Sequence, residues 1–387
     1  MGPLDGIKVV EVGSIGPGPW CAMMLSDMGA EVIRVDRADR ARAHRSDSPP
    51  PIDFANRRGR RSVAVDLKNP AGVQAVLRLA EGADAMIEGF RPGVAERLGI
   101  GPDEALGRNP RLVYGRMTGW GQDGPMAQVP GHDINYLALT GLLHTIGPKE
   151  RPMPPLNLVG DFGGGGMLLA FGVVAGIVSA GRTGRGQVVD AAMLDGAALL
   201  GGLVHGLSQI DRWKDERESN RHDGGAPFYN TYETADGRFV AVAANEPQFY
   251  RAMVETLGLD PDDLPAQGDE STWPQVRARF AEVFKTKTRD EWDAVFAGVE
   301  TCYTPVLTLA EARTNAHNTS RGVFVEHDGI EQPAPAPRFA ATPGAIAGPA
   351  PHPGQHSTDV LTRWGFTDDE VRELVEVGAV VDTATPG

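Results

Sequence analysis

The alternation of short β-type runs with helix-type segments in the first two hundred residues constrains the fold most. The predicted strands are KVVEV, AEVIRV, SVAVDL, DAMIEGF and LVYGRM. Stretches with helical periodicity, such as Gly72 to Glu81, lie between several of them. Because strands that alternate with helices usually pair in parallel, we predict an α/β fold in which helices cover a parallel sheet.

A second unit is predicted after the polar stretch SQIDRWKDERESNRHDGGAP. Two strands, YNTYETA and RFVAVAA, flank an Asp-Gly turn, and helices are expected at 247–257 and 272–299. A Pro-, Ala- and Gly-rich segment at 331–354 is expected to be extended, and a helix pair to follow at 357–379. A chain of 387 residues suits two domains. The expected division is 1–207 with 330–387, and 225–325, with linkers at 208–224 and 326–350.

The uncharged stretch FGGGGMLLAFGVVAGIVSAG at 162–181 is long enough to approach a membrane span. Seven of its twenty residues are glycine, which is costly inside a helix. We therefore predict a buried, closely packed helix over Met167 to Ala180, with the four consecutive glycines at its N-terminus.

The charge and cysteine content exclude several classes of protein. The net charge of −14 argues against nucleic-acid or membrane-surface partners. The two cysteines, Cys21 and Cys302, predict no disulfide framework and suit a reducing compartment. No secretory leader is apparent at the start of the sequence, so a cytoplasmic location is expected.

Residues 34–61 form a basic island with a net charge of +5, which leaves −19 for the rest of the chain. The island has two interpretations: a site for a small anionic ligand such as a phosphate, or a solvated loop. Its nine arginines are at positions 34, 37, 40, 42, 45, 57, 58, 60 and 61, and its four aspartates are at 36, 39, 47 and 53.

The segment GSIGPGPWCAMMLSDMGAEVIRVDR has the outline of a dinucleotide site but lacks the required glycines. The fingerprint G-x-G-x-x-G supplies backbone N–H groups to a pyrophosphate. Here Cys21 replaces the third glycine, and Pro17 and Pro19 remove two donors. The pattern therefore argues against a nicotinamide cofactor, although the strand–helix–strand unit remains.

Three other stretches combine reactive side chains with glycines or aromatics. In GHDINY, His132 is a candidate acid or base, or alternatively a helix cap. In NLVGDFGGGG, Asp161 is a candidate cap or catalytic group at a helix start whose free N–H groups could hold an oxyanion. In NEPQFY, Glu246 is by itself most simply a cap. The sequence contains no CxxC, HExxH, GxSxG or P-loop pattern.

The whole chain resembles the α-methylacyl-CoA racemases of the family III CoA-transferase superfamily. Motifs that match in order from about residue 3 to 378 are the N-terminal segment, NRRGRRSVAVDLKNPAG, GFRPGVAERLGIGP, NPRLVYGRMTGWGQDGP, GHDINYLALTG, PLNLVGDFGGGG, RTGRGQVVDAAMLDG, DGGAPFYNTY, EPQFY and PGQHSTDVLTRWGF.

The resemblance implies an interlocked homodimer. Each subunit would have a large Rossmann-like domain, built from both ends of the chain, and a smaller inserted α+β domain. The active site would lie where the large domain of one subunit meets the small domain of its partner.

The resemblance also implies the site residues. His132, Asp161 and Glu246 would be catalytic, with Glu246 paired to His132 and orienting it. The residues expected to bind CoA or the substrate are Ile15, Arg34, Arg37, Arg60, Arg91, Asp133, Asn157 and Tyr229, with the arginines suited to phosphates.

The implied reaction is racemisation of a 2-methylacyl-CoA. One of His132 and Asp161 would remove the proton beside the thioester carbonyl, and the other would return one to the opposite face through an enolate. No metal or organic cofactor is expected, and the acyl tail is expected to be long and apolar. Two alternatives remain: a CoA-transferase in which Asp161 attacks the thioester, and a non-catalytic acyl-CoA binding protein.

Overall fold

The computed structural model describes residues 2–44 and 54–384, and the chain divides into two compact units. The first unit comprises Met1–Thr140, Leu156–Leu200 and Gly322–Gly387, and the second comprises Gly141–Pro155 and Gly201–Arg321. Relative to the expected boundaries, residues 141–155 and 201–224 belong to the second unit, and 322–350 belongs to the first.

A seven-stranded sheet forms the centre of the first unit, and all five strands predicted from the sequence are present in it. In spatial order its strands are Val380–Val381, Arg61–Val65, Glu31–Arg37, Lys8–Val12, Ala85–Glu88, Val113–Thr118 and Gln187–Ala192. Every neighbouring pair is parallel except the edge pair of Val380–Val381 with Arg61–Val65. If the six parallel strands are numbered along the chain, their spatial order is 3-2-1-4-5-6, which is the Rossmann arrangement.

Helices cover both faces of this sheet, as its parallel pairing requires. A hydrophobic core lies on each face of the sheet. Successive side chains of strand Lys8–Val12 point to opposite faces, so Val10 packs into one core and Val9 into the other. The helices of the first unit are Pro17–Asp27, Ala38–Ala43, Pro70–Glu81, Val94–Arg97, Pro102–Arg108, Asp133–Leu139, Leu158–Met167, Leu168–Thr183, Met193–Leu200, Ser357–Arg363 and Asp368–Glu376, with a 3-10 turn at Phe54–Arg57.

The glycine-rich helix (Leu158–Thr183) begins nine residues earlier than predicted. Leu158–Met167 is π-helical and continues as the α-helix Leu168–Thr183. The helix is long and apolar enough to cross a membrane by length and composition. One face lies directly on the sheet, however: a Cβ on Gly176 would be 2.7 Å from Val113, and one on Gly172 would be 2.7 Å from Val189. Such contacts are typical of a covering helix in an α/β fold.

The four consecutive glycines allow other helices to pack closely on this segment. A Cβ on Gly164 would lie 2.6 Å from the backbone nitrogen of Ala197, and one on Gly166 would lie 2.7 Å from the Trp20 ring. Gly196 contacts Gly164 in return, since its Cβ would overlap the Gly164 carbonyl. The glycines therefore allow helices Pro17–Asp27 and Met193–Leu200 to pack on the π-helical turns.

The second unit pairs the two predicted strands, Tyr229–Glu233 and Phe239–Ala243, as an antiparallel hairpin, to which Tyr303–Pro305 adds a third strand. The remaining elements of this unit are the helices Leu142–Thr145, Gly202–Ser208, Pro247–Thr256, Trp273–Phe284, Arg289–Phe296, Leu309–Thr314 and Ala316–Arg321, with 3-10 turns at Pro261–Asp263 and Glu270–Thr272. Its core contains a set of aromatic side chains: Phe228, Tyr232, Tyr250, Trp273, Phe280, Phe284, Trp292 and Phe296.

The C-terminal segment returns to the first unit. It forms a hairpin of Phe324–His327 with Ile330–Pro333, where an extended linker is predicted, and then the expected helix pair. Arg58 fixes the hairpin: its guanidinium donates to Gln332 Oε1 and to the Pro333 carbonyl, each at 2.8 Å, and forms a buried ion pair with Asp27 at 2.5 Å.

Candidate active site

The strand order places a crevice beside Lys8–Val12. From this strand the sheet is built in opposite directions, so the chain segments that leave the carboxyl ends of Lys8–Val12 and Ala85–Glu88 diverge. In open α/β sheets such a switch point is where ligands bind. The segments that leave these two strands are Gly13 to Gly16 and Gly89 to Pro92, and both line a cavity.

A cavity of about 340 Å³ at this point contains both candidate proton-transfer groups, His132 and Asp161. Its volume lies in the usual range for small-molecule sites. The other lining residues are Ile15, Gly16, Pro17, Gly89, Phe90, Arg91, Pro92, Met117, Thr118, Gly119, Trp120, Ala127, Val129, Pro130, Gly131, Tyr136 and Met193. A largely apolar wall with few ionisable groups suits an acyl substrate.

His132 occupies the position before helix Asp133–Leu139, as its motif suggests. Its backbone N–H donates to Asn135 Oδ1 at 3.0 Å. The preceding loop is held by two aromatic side chains in edge-to-face contact. Trp120 Nε1 donates to the Val129 carbonyl at 2.9 Å, and the Tyr136 hydroxyl donates to the Gly131 carbonyl at 2.5 Å. These bonds fix the loop, while the imidazole itself stays exposed.

Asp161 lies inside the first π-helical turns and not at the cap, a position that Asn157 takes instead. Burial raises the pKa of the Asp161 carboxyl above its usual range. The Asn157 amide, 3.4 Å from Oδ2, and His132 act against the rise, and Asp133 adds to it. His132 and Asp161 line the same cavity, so the charge on one acts on the other.

A larger cavity of about 730 Å³ adjoins the first, because Ile15 lines both. The side chain of Ile15 is 77% exposed. Five arginines of the basic island line the larger cavity, namely Arg34, Arg37, Arg40, Arg57 and Arg58. The island therefore surrounds a cavity large enough for an anionic ligand; Arg45, Asp47 and Asp53 lie outside the described residues.

Two of the predicted CoA-binding arginines are buried structural residues. Glu11 lies between Arg34 and Arg60 and forms an ion pair with each. Burial alone would raise the pKa of Glu11, but the two guanidiniums hold it below its usual range. Arg60 also donates to the carbonyls of Arg58 and Pro19 and lines neither the 340 Å³ nor the 730 Å³ cavity. Arg34 reaches the wall of the larger one.

The remaining predicted binding residues lie in several places. Arg37 lines the larger cavity and Arg91 the smaller one. Asp133 lines neither; it is buried, and its Oδ1 accepts the Asp161 N–H at 2.7 Å. The Asp133 carboxylate thus contacts the backbone of Asp161 here, and its expected contact with the substrate stays a prediction.

Glu246 and Tyr229 belong to the second unit. Glu246 is exposed and precedes helix Pro247–Thr256, without a hydrogen bond from its side chain to the helix end. Tyr229 begins a strand and packs edge-to-face on His222. The pairing of Glu246 with His132 stays a prediction.

The larger cavity also has lining residues that the sequence reasoning did not identify. His44 and His352 stack with ring centroids 4.5 Å apart, and 349–353 forms part of the wall. Burial, and then His44, lower the pKa of His352. No motif marks these positions, since a segment rich in proline and glycine has the composition of a linker.

The chain belongs to CoA-transferase family III, whose family model matches residues 4–357. Among its relatives, alpha-methylacyl-CoA racemase of Mus musculus is 44% identical over 374 residues, and that of Homo sapiens is 43% identical over 375 residues. Each match covers 96% of this chain and 96% of the relative. A solved structure of a CaiB/BaiF family protein from Brucella suis superposes with a TM-score of 0.80 at 25% identity, and the match covers 94% of this chain and 99% of that one.

Proposed function

We propose that this protein is an α-methylacyl-CoA racemase, an isomerase that interconverts (R)- and (S)-2-methylacyl-CoA thioesters. The observation that carries the proposal is the presence of His132 and Asp161 in one cavity, which adjoins a second cavity lined by arginines. The names of the mouse and human relatives agree with this function.

The two ionisable groups supply a two-base proton transfer. For one enantiomer, neutral His132 takes the proton from the carbon beside the thioester carbonyl and becomes an imidazolium, leaving an enolate. Protonated Asp161 then gives its proton to the opposite face of that carbon and becomes a carboxylate. For the other enantiomer the roles reverse. In each direction the pair carries one proton in total, on Asp161 for one enantiomer and on His132 for the other.

The raised pKa of Asp161 suits this exchange. An ordinary aspartic acid and an ordinary imidazole differ by about 2.6 pKa units, which would leave the protonated acid rare, roughly one in 400. Burial raises the pKa of Asp161 and so increases the population of its protonated form. The acid that donates to one enantiomer is therefore more populated than it would be for an exposed aspartate.

The CoA part of the substrate would occupy the larger cavity. Arg37, Arg40 and Arg57 are suited to its phosphates, since a guanidinium matches phosphate geometry, and Arg34 adds positive charge from the wall. Ile15 marks the boundary where the thioester would pass from one cavity to the other. Coenzyme A is part of the substrate, and the proposed proton transfer needs no metal or organic cofactor.

We further propose a homodimer with the fold expected from the family resemblance, in which Glu246 and Tyr229 complete a site on the partner. Exposed apolar side chains on the glycine-rich helix and after it support an interface, because such groups gain from being covered. Phe171 is 72% exposed, Leu199 68% and Leu203 64%. The expected cytoplasmic location and the absence of nucleic-acid or membrane partners belong to the same proposal.

A CoA-transferase is the main alternative, because its aspartate would stand where Asp161 stands. The racemase is favoured by His132, since an acid or base in the same cavity has no part in a nucleophilic attack by Asp161 alone. The two relatives at 43–44% identity point the same way.

The proposal is tested with His132→Ala and Asp161→Asn. In deuterated water, both variants should lose exchange at the α-carbon and inversion by about 10²-fold to 10⁴-fold, since each removes a proton-transfer group. CoA affinity, measured by calorimetry, should change little, because both groups lie in the smaller cavity. Undiminished exchange in both variants would contradict the assignment of these residues.

A further inference from the structure

Asp133 is a buried carboxylate with no cationic partner. It is 5% exposed, and no basic side chain within residues 2–44 and 54–384 forms an ion pair with it. Its Oδ2 is buried and accepts no hydrogen bond in that part of the chain. A buried carboxylate without a cationic partner is costly to the fold, so its retention at this place calls for a structural or functional reason.

The other oxygen of Asp133 is committed to the turn that carries Asp161. Asp133 Oδ1 accepts the Asp161 backbone N–H at 2.7 Å. The turn passes so close that a Cβ on Gly160 would be 2.5 Å from this oxygen, which excludes any larger residue there. The carboxylate therefore fixes the backbone of the proton-transfer residue and brings a second negative charge beside it.

Apart from Arg91, which lines the same cavity, few other charged groups face Asp161. On its own element the neighbour is Asn157, and from the loop and helix around 132–136 the neighbours are His132, Asp133 and Tyr136. Helix Pro17–Asp27 has no charged residue in its first turn, and Asp27, at its other end, pairs with Arg58. Asp195, on the packed helix Met193–Leu200, acts on Asp190 instead. Asp133 is thus the negative group of this set that acts on Asp161.

We propose that Asp133 is a positioning residue that acts through Asp161: its Oδ1 orients the turn, and the charge of its unpaired Oδ2 favours the protonated form of Asp161. The inference rests on the proposed racemase function, in which Asp161 must donate a proton to one enantiomer. Burial and the charge of Asp133 both raise the pKa of Asp161, in that order. The same two influences, with Asp161 itself, raise the pKa of Tyr136 to about 12.

The test compares Asp133→Asn with Asp133→Ala. The asparagine keeps an oxygen for the Asp161 N–H and removes the charge, whereas the alanine removes both. Asp195→Asn is the control, because it removes an exposed carboxylate from a helix that packs on the same turn. Circular dichroism checks that each variant folds.

For Asp133→Asn, the acid limb of kcat/KM should move toward lower pH by roughly one unit, since the like charge beside Asp161 is gone. The pH-independent value of kcat/KM should fall several-fold. The loss should be equal for the two enantiomers, because the equilibrium constant of the reaction is fixed. The kcat/KM of Asp133→Ala should fall further than that of Asp133→Asn. The kcat/KM of Asp195→Asn should equal that of the parent protein. An acid limb in Asp133→Asn identical to that of the parent would overturn the role of the charge; equal losses in the asparagine and alanine variants would overturn the role of the hydrogen bond.

A titration of the ¹³C-labelled Asp161 carboxyl by NMR, without substrate, separates this inference from the proposed function. If the parent protein shows no α-proton exchange, the proposed function fails, yet the carboxyl in Asp133→Asn should still titrate at a lower pH than in the parent. If exchange is present and the titration is unmoved, the inference alone fails.

Discussion

Single arginines in this protein have different roles that their charge does not reveal. In the sequence, nine arginines within 28 residues suggest one function, the binding of an anion. In the structure, Arg58 and Arg60 are buried in ion pairs, whereas Arg37 is largely exposed at the edge of the larger cavity. Burial depends on distant segments such as Gln332, so composition could locate the island but could not separate its binding residues from its structural ones.

The contrast between Arg58 and Arg61 gives a test at this scale. Both join the first part of the chain to its C-terminal part, but the Arg58–Asp27 pair is buried and the Arg61–Asp359 pair is partly exposed. Arg58→Met should cost about 3–5 kcal/mol of unfolding free energy at neutral pH, because it leaves Asp27 buried and unpaired. Arg61→Met should cost about 0–1 kcal/mol. Urea denaturation measures both.

The cost of Arg58→Met should also depend on pH. Burial raises the pKa of Asp27 even with Arg58 present, and loss of the guanidinium would raise it further. A raised carboxyl pKa in the folded state means that the folded state is favoured when the group is protonated. The destabilisation should therefore be smaller near pH 5 than near pH 8. A cost independent of pH, or equal for Arg58→Met and Arg61→Met, would contradict this account.

Individual elements were predicted well where the hydrophobic period was clear. The strands of the sheet and the hairpin of the second unit are confirmed. The predicted helix at 272–299 is wrong as a single element: it breaks after Phe284, and a new helix begins where Thr288 caps with Glu291. The T-x-x-E pattern is a recognised start signal, so the sequence contained this information. The π-helical turns carried no comparable signal.

The glycine-rich helix offers a matched pair of substitutions. Gly164→Ala should destabilise the protein by about 1–3 kcal/mol, because its Cβ would lie 2.6 Å from the backbone nitrogen of Ala197. Gly181→Ala, in the same helix, meets no atom within 4 Å and should stabilise by about 0.5–1 kcal/mol through helix propensity. Midpoints of urea unfolding distinguish them. A change of the same sign in both would show that packing at Gly164 is not the constraint.

At the scale of the whole molecule, the switch point of the sheet explains why the candidate residues lie in one crevice. The segments that follow several strands meet at one edge, and they bring together Ile15, Arg91 and Trp120 from distant parts of the sequence. Spacing could predict the parallel sheet, but not that His132 and Asp161 would share a cavity; the family resemblance supplied that expectation. The return of the chain to the first unit was expected, but no motif marked 349–353 as part of a cavity wall.

The central claim is that two groups in one cavity exchange a proton on opposite faces of the carbon beside a thioester. The most direct test is to incubate one enantiomer of a 2-methylacyl-CoA with the protein in deuterated water, in the presence of a free carboxylic acid. The account predicts deuterium at the α-carbon, accumulation of the other enantiomer and no new thioester. Transfer of CoA to the free acid, with no deuterium at the α-carbon, would contradict it.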